Sequence, residues 1–433
     1  MPDKVDVAVI GAGMAGAIAA RNLTQKGLSV ALLEARDRVG GRTYVGKVFG
    51  EDLELGGTYV HWTQPHVWSE IQRHNLIVKP PITQGDVYWL ANGTVHSGTH
   101  EEYYQASNPV LTRFFADATA RFPKPYDVTA VDNKDAEQET IEDRVNSLQL
   151  SPYDRDVLKG TLAGIVHSYG AHGVTQLLHG VATYFGDYRS FYETAGRWSI
   201  QGGTKALIEA ILNESTAELR LSTPVSSVKD DGSQVIITTR AGQTLSAHSV
   251  ILTLPVNTLG DVQITPPLPP AVRTMIDQKN PVMAGKLWVL AKGEIPHFSA
   301  YAPAGKHPLN VIRTERYHKG DTFIVCMVSD AAAISPNDLG AIQTALRKFV
   351  PDIKVVNAAW HNWCADEFSK GGWMIHRPGH MTVTLPHIWR PHGRIYFAGS
   401  DIAALNLGSI EGAMQSGAAA ARDVTASFFK SKF

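Results

Sequence analysis

The sequence predicts an α/β fold, mixed with α+β parts, in two domains: one Rossmann-like and dinucleotide-binding, the other a mixed sheet with helices. Three observations predict it. A buried-type strand runs into Gly11-Ala12-Gly13-Met14-Ala15-Gly16, which opens a helix. A second strand follows and ends in an acid, Glu34. At 433 residues with 44% hydrophobic content, the chain exceeds the ~250–300 residues at which single cores stop growing.

Taken in order, Val5-Asp6-Val7-Ala8-Val9-Ile10 is β-branched and apolar enough for a strand buried on both faces, as a parallel sheet requires. Gly11 permits the tight turn, Gly13 the approach of a pyrophosphate, and Gly16 the close packing of the helix Ala17 to Leu23 on the sheet. The helix N-terminus then favours an anion. After Gly27, the strand Leu28 to Leu33 delivers Glu34 at about the 20-residue distance of a ribose-binding carboxylate. A carboxylate there repels a 2′-phosphate, which leaves NAD and FAD.

Composition excludes several classes. Net charge is −1 from 40 basic and 41 acidic residues, dispersed along the chain, so neither nucleic acid nor an anionic membrane is an expected partner. Cys326 and Cys364, the two cysteines, read as reduced core residues of a cytoplasmic protein. The 17 histidines lack ligand spacing, so no metal is expected. The first strand begins too close to Met1 for a signal peptide, and no apolar run reaches ~18 residues. A homodimer is left open.

Downstream, Glu34-Ala35-Arg36-Asp37-Arg38-Val39-Gly40-Gly41-Arg42 and Glu54-Leu55-Gly56-Gly57-Thr58-Tyr59-Val60 resemble the flavin monoamine oxidase family. So does the C-terminal stretch Gly393 to Asp401 with Gly408-Ser409-Ile410-Glu411-Gly412-Ala413. The resemblance implies the two-domain FAD-linked amine oxidase fold and FAD as cofactor. It implies FAD contacts from Gly11, Gly13, Gly16, Glu34, Ala35, Arg36, Gly41 and Arg42, with the arginines offsetting phosphate charge. Gly56, Gly57, Thr58 and Tyr59 join them, with Val225 by the adenine and Gly399, Ser400, Asp401, Ser409 and Ile410 at the closing motif. Asp401 would bond the ribityl or phosphate side, and the helix Gly412 to Val424 would aim its N-terminus at the flavin's pyrimidine edge.

Flavin signals at both ends and a third from Trp198 to Pro255 imply a discontinuous FAD domain, residues 1–87, 198–257 and 387–433. The substrate domain is expected at 88–197, mostly helical, and 258–386, with strands at Leu287 to Leu290 and Phe323 to Val328.

Within the same resemblance, Trp360 to Trp373 is the substrate-site segment. Trp363 packs beside the flavin, and Trp373 forms one wall of the aromatic cage, its π face turned to developing cationic character. Residues alone leave Trp363 open between that role and plain core. Gly371 and Gly372 stand where covalent members carry a cysteine, so FAD is expected to be non-covalent. The second cage wall aligns with Ser409, which is small and polar. Lys286 matches the lysine that holds a water near flavin N5; by itself it reads equally as a strand-end lysine. Gly56 to Trp68 resembles bacterial nicotine and 6-hydroxynicotine oxidases more than animal monoamine oxidases, which places His61 and Trp62 at the substrate, while His66 reads as structural.

The expected activity is oxidation of a C–N bond by hydride transfer to flavin N5, with O2 reduced to H2O2. The preferred small-molecule substrate is a cyclic secondary or tertiary amine of nicotine type, such as 6-hydroxy-L-nicotine. A primary aryl-alkyl amine is the alternative, and a flavin C–C desaturase the competing class. No arginine clamp for an amino-acid carboxylate is assigned, Arg313 and Arg189 being the candidates.

Overall fold

The computed structural model describes residues 4–82 and 84–430. Among the described residues the strands form sheets of eight, seven, three and two strands. The centre of the eight-stranded sheet is parallel: Lys4–Ile10 lies between Val30–Leu33 and Thr244–Leu252, with Glu218–Arg220 and Ile395–Phe397 also parallel to their neighbours. Val30 to Leu33 are all buried, which is why both strands read as continuous apolar runs.

The helix Met14–Thr24 packs on this sheet and on the C-terminal helix Ile410–Lys430. Their crossing is tight at Gly417, where an added Cβ would lie 2.2 Å from the Ala15 carbonyl oxygen. Val225–Asp230, Val235–Thr239 and Thr244–Leu252 extend the sheet as an antiparallel meander. The strand expected from Ser249 starts at Thr244. Its first half alternates Thr244, Leu245, Ser246, Ala247 because it pairs antiparallel with the meander, and only its second half is the buried parallel run.

The seven-stranded sheet runs Val355–Ala359, Gly285–Ala291, Asp321–Val328, Val311–His318, Phe298–Tyr301, Asp86–Ala91, Thr94–Gly98. The last two place a hairpin at the start of the segment expected to be mostly helical from residue 88, and helices follow from His100 onward. The two strands join through Asn92 (φ 49°) and Gly93 (φ 77°), the Asn-Gly pair that a type I′ turn demands. That strand also runs through the expected domain boundary at residue 88, and Gln263–Thr265, beyond the boundary at 257, pairs into the eight-stranded sheet. The helices His100–Phe114, Pro152–Leu162, Thr175–Thr183 and Tyr188–Gly196 follow the hairpin. A three-stranded sheet of Tyr59–Val60, Trp198–Ile200 and Val78–Lys79 lies beside them.

No described helix is long and apolar enough to cross a membrane.

Candidate active site

One cavity of about 990 Å³ is lined from both large sheets and from the helices between them. That is at the upper end of the ~300–1,000 Å³ typical of small-molecule sites. Its cradle is made of backbone. Gly13 precedes the helix Met14–Thr24 in extended conformation, and no side chain caps the helix's N-terminal N–H groups. Gly11, Gly13, Gly40 and Gly41 line the cavity. Gly16 does not line it but permits it, since a Cβ there would stand 1.9 Å from the Gly11 carbonyl oxygen. At the second glycine pair, a Cβ on Gly56 would meet the Arg42 carbonyl oxygen at 2.1 Å and Trp363 Cζ2 at 2.9 Å.

Glu34 is buried at the end of its strand, one oxygen accepting from Ala12 N (2.7 Å) and the other from Arg36 N (2.9 Å). Each oxygen keeps a lone pair for a hydroxyl donor. Ala35, Val225 and Trp363 line the same stretch or its continuation. Trp363 is fixed by Nε1–H donating to the Leu55 carbonyl at 2.8 Å.

The arginines depart from expectation. Arg36 lines the cavity, but its guanidinium is bonded to Asp366, whose carboxylate His361 also contacts (2.8 Å). Despite its burial, those partners hold Asp366 well below the usual carboxylate range. Arg42 donates to the Gly372 carbonyl (2.8 Å), Ser400 Oγ (2.9 Å) and Asp401 Oδ1 (2.6 Å). Both are thus paired with a carboxylate inside the protein, and they line the same cavity as the uncapped helix N-terminus. Asp401 is corrected likewise: it is buried, accepts from Val256 N at 3.1 Å, and does not line the cavity, whereas Gly399 and Ser400 do. Its Oδ1 accepts from Arg42 and Ser400 Oγ.

At the closing motif Ser409 and Ile410 line the cavity. Ser409 Oγ accepts from Gly412 N at 3.0 Å and donates to the Asn406 carbonyl at 2.6 Å, so it is the N-cap of the C-terminal helix. Glu411, one residue into that helix, accepts from His66 N (3.1 Å) and Val67 N (2.9 Å) and caps the helix Pro65–Arg73. His66 bonds the same carboxylate through Nδ1 at 2.7 Å.

On the other side of the cavity Lys286 is buried, its Nζ donating to Thr58 Oγ1 at 2.6 Å. Burial pushes it down to about 8, with Glu54 partly opposing. Thr58, Gly57 and Tyr59 all line the cavity, and Lys286 lies 5.4 Å from the Tyr59 ring centre. Trp373 lines it too, anchored by Nε1–H to the Ile165 carbonyl at 2.7 Å. His61 and Trp62 do not: they stack on each other at 3.8 Å, His61 is buried against Thr63, and Trp62 is 48% exposed with its edge to Trp198.

Sequence reasoning missed most of this chamber. Tyr103 and Tyr301 stack within it (4.3 Å, 9° between planes), and helices carrying Tyr188 and Tyr192 complete the wall. The signal was register. Lys286 pairs with Met327, Met327 with Val311 and Val311 with Tyr301, so one row across the seven-stranded sheet faces the cavity. Arg313 and Arg189 do line it. Arg313 is bonded to Glu315 (3.2 Å) and the Gly196 carbonyl (2.8 Å), and Arg189 lies over Tyr104 at 3.9 Å.

An uncapped helix end, a ribose-type carboxylate, glycines at 16, 40 and 56 where an added Cβ would collide with a carbonyl oxygen, and a tryptophan beside them fit FAD, and together with the aromatic chamber they define a flavoprotein oxidoreductase. The chain belongs to the family described as flavin containing amine oxidoreductase, whose model matches residues 14–425. It is 33% identical over 437 residues to the pseudooxynicotine dehydrogenase of Pseudomonas sp., covering 99% of this chain and 87% of that one. It is 26% identical over 427 residues to the (S)-6-hydroxynicotine oxidase of Paenarthrobacter nicotinovorans, covering 95% and 97%. The fold matches a putrescine oxidase triple mutant with a TM-score of 0.86 at 22% identity, over 98% and 99% of the two chains. The protein is an FAD-dependent amine oxidoreductase, as the resemblance implied.

Proposed function

We propose that this enzyme oxidises the C–N bond of a cyclic secondary or tertiary amine of nicotine type, with dioxygen as electron acceptor. The observation that carries the reading is end-to-end similarity to two relatives named for nicotine-derived amines, joined to a chamber whose walls are Trp373 and stacked tyrosines. FAD, held in the cradle without a covalent link, would supply the two-electron acceptor for hydride from the carbon beside nitrogen, with dioxygen as the final oxidant reduced to hydrogen peroxide. Gly371 and Gly372 offer no thiol for such a link, and Cys364 donates to the Val282 carbonyl (3.3 Å) away from the cavity lining.

The chain's own part is positioning. Trp373 turns a ring toward the chamber, where nitrogen gains positive character as hydride leaves. Lys286 holds a proton on Nζ at the cavity wall, beside Thr58 Oγ1, where added negative charge is stabilised. The stacked Tyr103 and Tyr301 give the chamber an aromatic wall. No side-chain base takes part, because the amine enters unprotonated; turnover is expected to weaken at low pH.

The test is anaerobic mixing of holoenzyme with nicotine, 6-hydroxynicotine, tyramine and putrescine. Bleaching of the flavin by the first pair is expected. Bleaching by tyramine or putrescine alone, or by a porphyrinogen but no amine, overturns the reading.

A further inference from the structure

The cavity reaches the surface at both ends. At the chamber, Glu101, Gln105, Arg189 and Arg197 are exposed residues of its lining; at the far end, Arg240 and Asp261 are. This second opening lies at the adenosine half of the cradle. Arg240 N donates to the Pro224 carbonyl (2.8 Å), next to Val225, and Thr223 N donates to the carbonyl of Glu34 (2.8 Å), the ribose-type carboxylate. Across it stands the stretch 366–370, part of the segment that carries Trp363 and Trp373.

The stretch is a compact loop. Its base is tied by Gly371 N to the Trp363 carbonyl (2.8 Å) and by Asn257 Nδ2 to the Lys370 carbonyl (2.9 Å). Each of its charges meets an opposite one: Asp366 pairs with Arg36, Glu367 with Arg240, and Lys370 Nζ with Asp261 at 2.6 Å. The first pair is largely buried, and the other two face solvent. Phe368 lines the cavity among them, its ring centre 5.5 Å from the Arg36 guanidinium carbon and 5.4 Å from that of Arg240. An apolar ring flanked by solvent-facing ion pairs is a closure that can open, because such pairs are individually weak and are screened by salt.

We propose that residues 366–370 are a strap closed over the adenosine end of the cradle, and that FAD enters and leaves beneath it, not through the substrate mouth. Phe368 shuts the opening, and the Glu367–Arg240 and Lys370–Asp261 pairs fasten it. With no thiol at Gly371 or Gly372 for a covalent link, this closure governs how long the coenzyme stays. The inference depends on the flavin cradle and not on which amine is oxidised.

The test needs no turnover. Holoenzyme is mixed with excess isotopically labelled FAD, and the bound coenzyme is followed by mass spectrometry over time. In NaCl of about 1 M, where the screening length falls to ~3 Å, exchange is expected to quicken about threefold. Lys370→Asp sets like charges against each other at Asp261 and is expected to exchange about fivefold faster at low salt, and the further change Asp261→Lys to restore the slow rate. Glu367→Gln, at a side chain 59% exposed, keeps the strap testable if Lys370→Asp does not fold, with about a twofold gain expected. Glu193→Lys breaks the 3.5 Å pair with Arg197 at the substrate mouth and is expected to leave exchange unchanged. A loop that only supports the fold would not have its loosening reversed by the charge swap. Exchange unmoved by salt and by the strap variants overturns the proposal, and exchange quickened as much by Glu193→Lys overturns it by assigning passage to the substrate mouth.

Discussion

The two ends of the cavity are built from different material. The cradle is backbone: glycines, helix N–H groups and one carboxylate already bonded to two amides. The chamber is side chain: a sheet face and four helices, with tyrosines, Trp373 and the cations Lys286, Arg313, Arg189 and Arg197 in its lining. Backbone sites tolerate no added atom, whereas side-chain sites tolerate replacement at the cost of specificity. Paired glycine substitutions break this comparison most directly. Gly16→Val forces atoms into the Gly11 carbonyl, 1.9 Å from the first of them, whereas Gly164→Ala meets Val311 Cγ2 at an ordinary 3.4 Å. The first is expected to yield protein without flavin absorbance near 450 nm, and the second a full flavin complement with altered KM. Flavin retained in Gly16→Val would show that the cradle yields.

Lys286 is next in size and sits where the two regions meet. On the proposed reading its cation assists electron transfer to oxygen, so Lys286→Met should keep FAD and slow reoxidation about 10²-fold. Because burial brings Lys286 to about 8, the charge is present below that pH and lost above it. Wild-type reoxidation is therefore expected to fall as pH rises through about 8, and Lys286→Met to show a flat profile. Stopped-flow mixing of reduced enzyme with oxygenated buffer measures both; a variant that keeps the fall assigns it to another group.

The same division explains what the sequence could say. Gly11, Gly13, Gly16 and Glu34 were legible because a backbone cradle needs particular residues at fixed spacing, and spacing is written in the chain. The row Lys286, Met327, Val311, Tyr301 was not, because it exists only through strand pairing across three connections. The hairpin at Asn92 and Gly93 was legible and overlooked; its turn dipeptide outweighs the helical look of the residues from Thr99 onward. His61 and Trp62 stood two and three residues from Tyr59, close in sequence, yet the chain turns away after Val60 and buries His61 against Thr63. Arg36 and Arg42 carry the right charge, but Asp366 and Asp401, hundreds of residues away, bring the counter-charges.

Trp373 probes the chamber alone. Trp373→Leu removes the π face and leaves the Ile165 carbonyl without its 2.7 Å donor. The limiting rate of flavin reduction is expected to fall about tenfold, the size of one cation–π contact in a desolvated site, with flavin content unchanged. Loss of flavin would mean that the wall also holds the cradle together, and the contrast between the two regions would need redrawing.

Ser409 gives the smallest effect and the finest distinction, because it lines the chamber while its hydroxyl serves the backbone. Accepting from Gly412 N at 3.0 Å, it satisfies an N–H that would otherwise lack a partner at the start of the C-terminal helix. Ser409→Ala removes that bond at a cost of about 1 kcal/mol, or roughly 2 °C in Tm for a chain of this size. Ser409→Thr keeps the oxygen and should keep the Tm. Neither change adds or removes an aromatic surface, so the rate of flavin reduction by the preferred amine should be the same in both. A thermal shift measured beside that rate separates the roles: a lower Tm with an unchanged rate makes Ser409 a cap, and an unchanged Tm with a changed rate makes it a wall that reads the substrate.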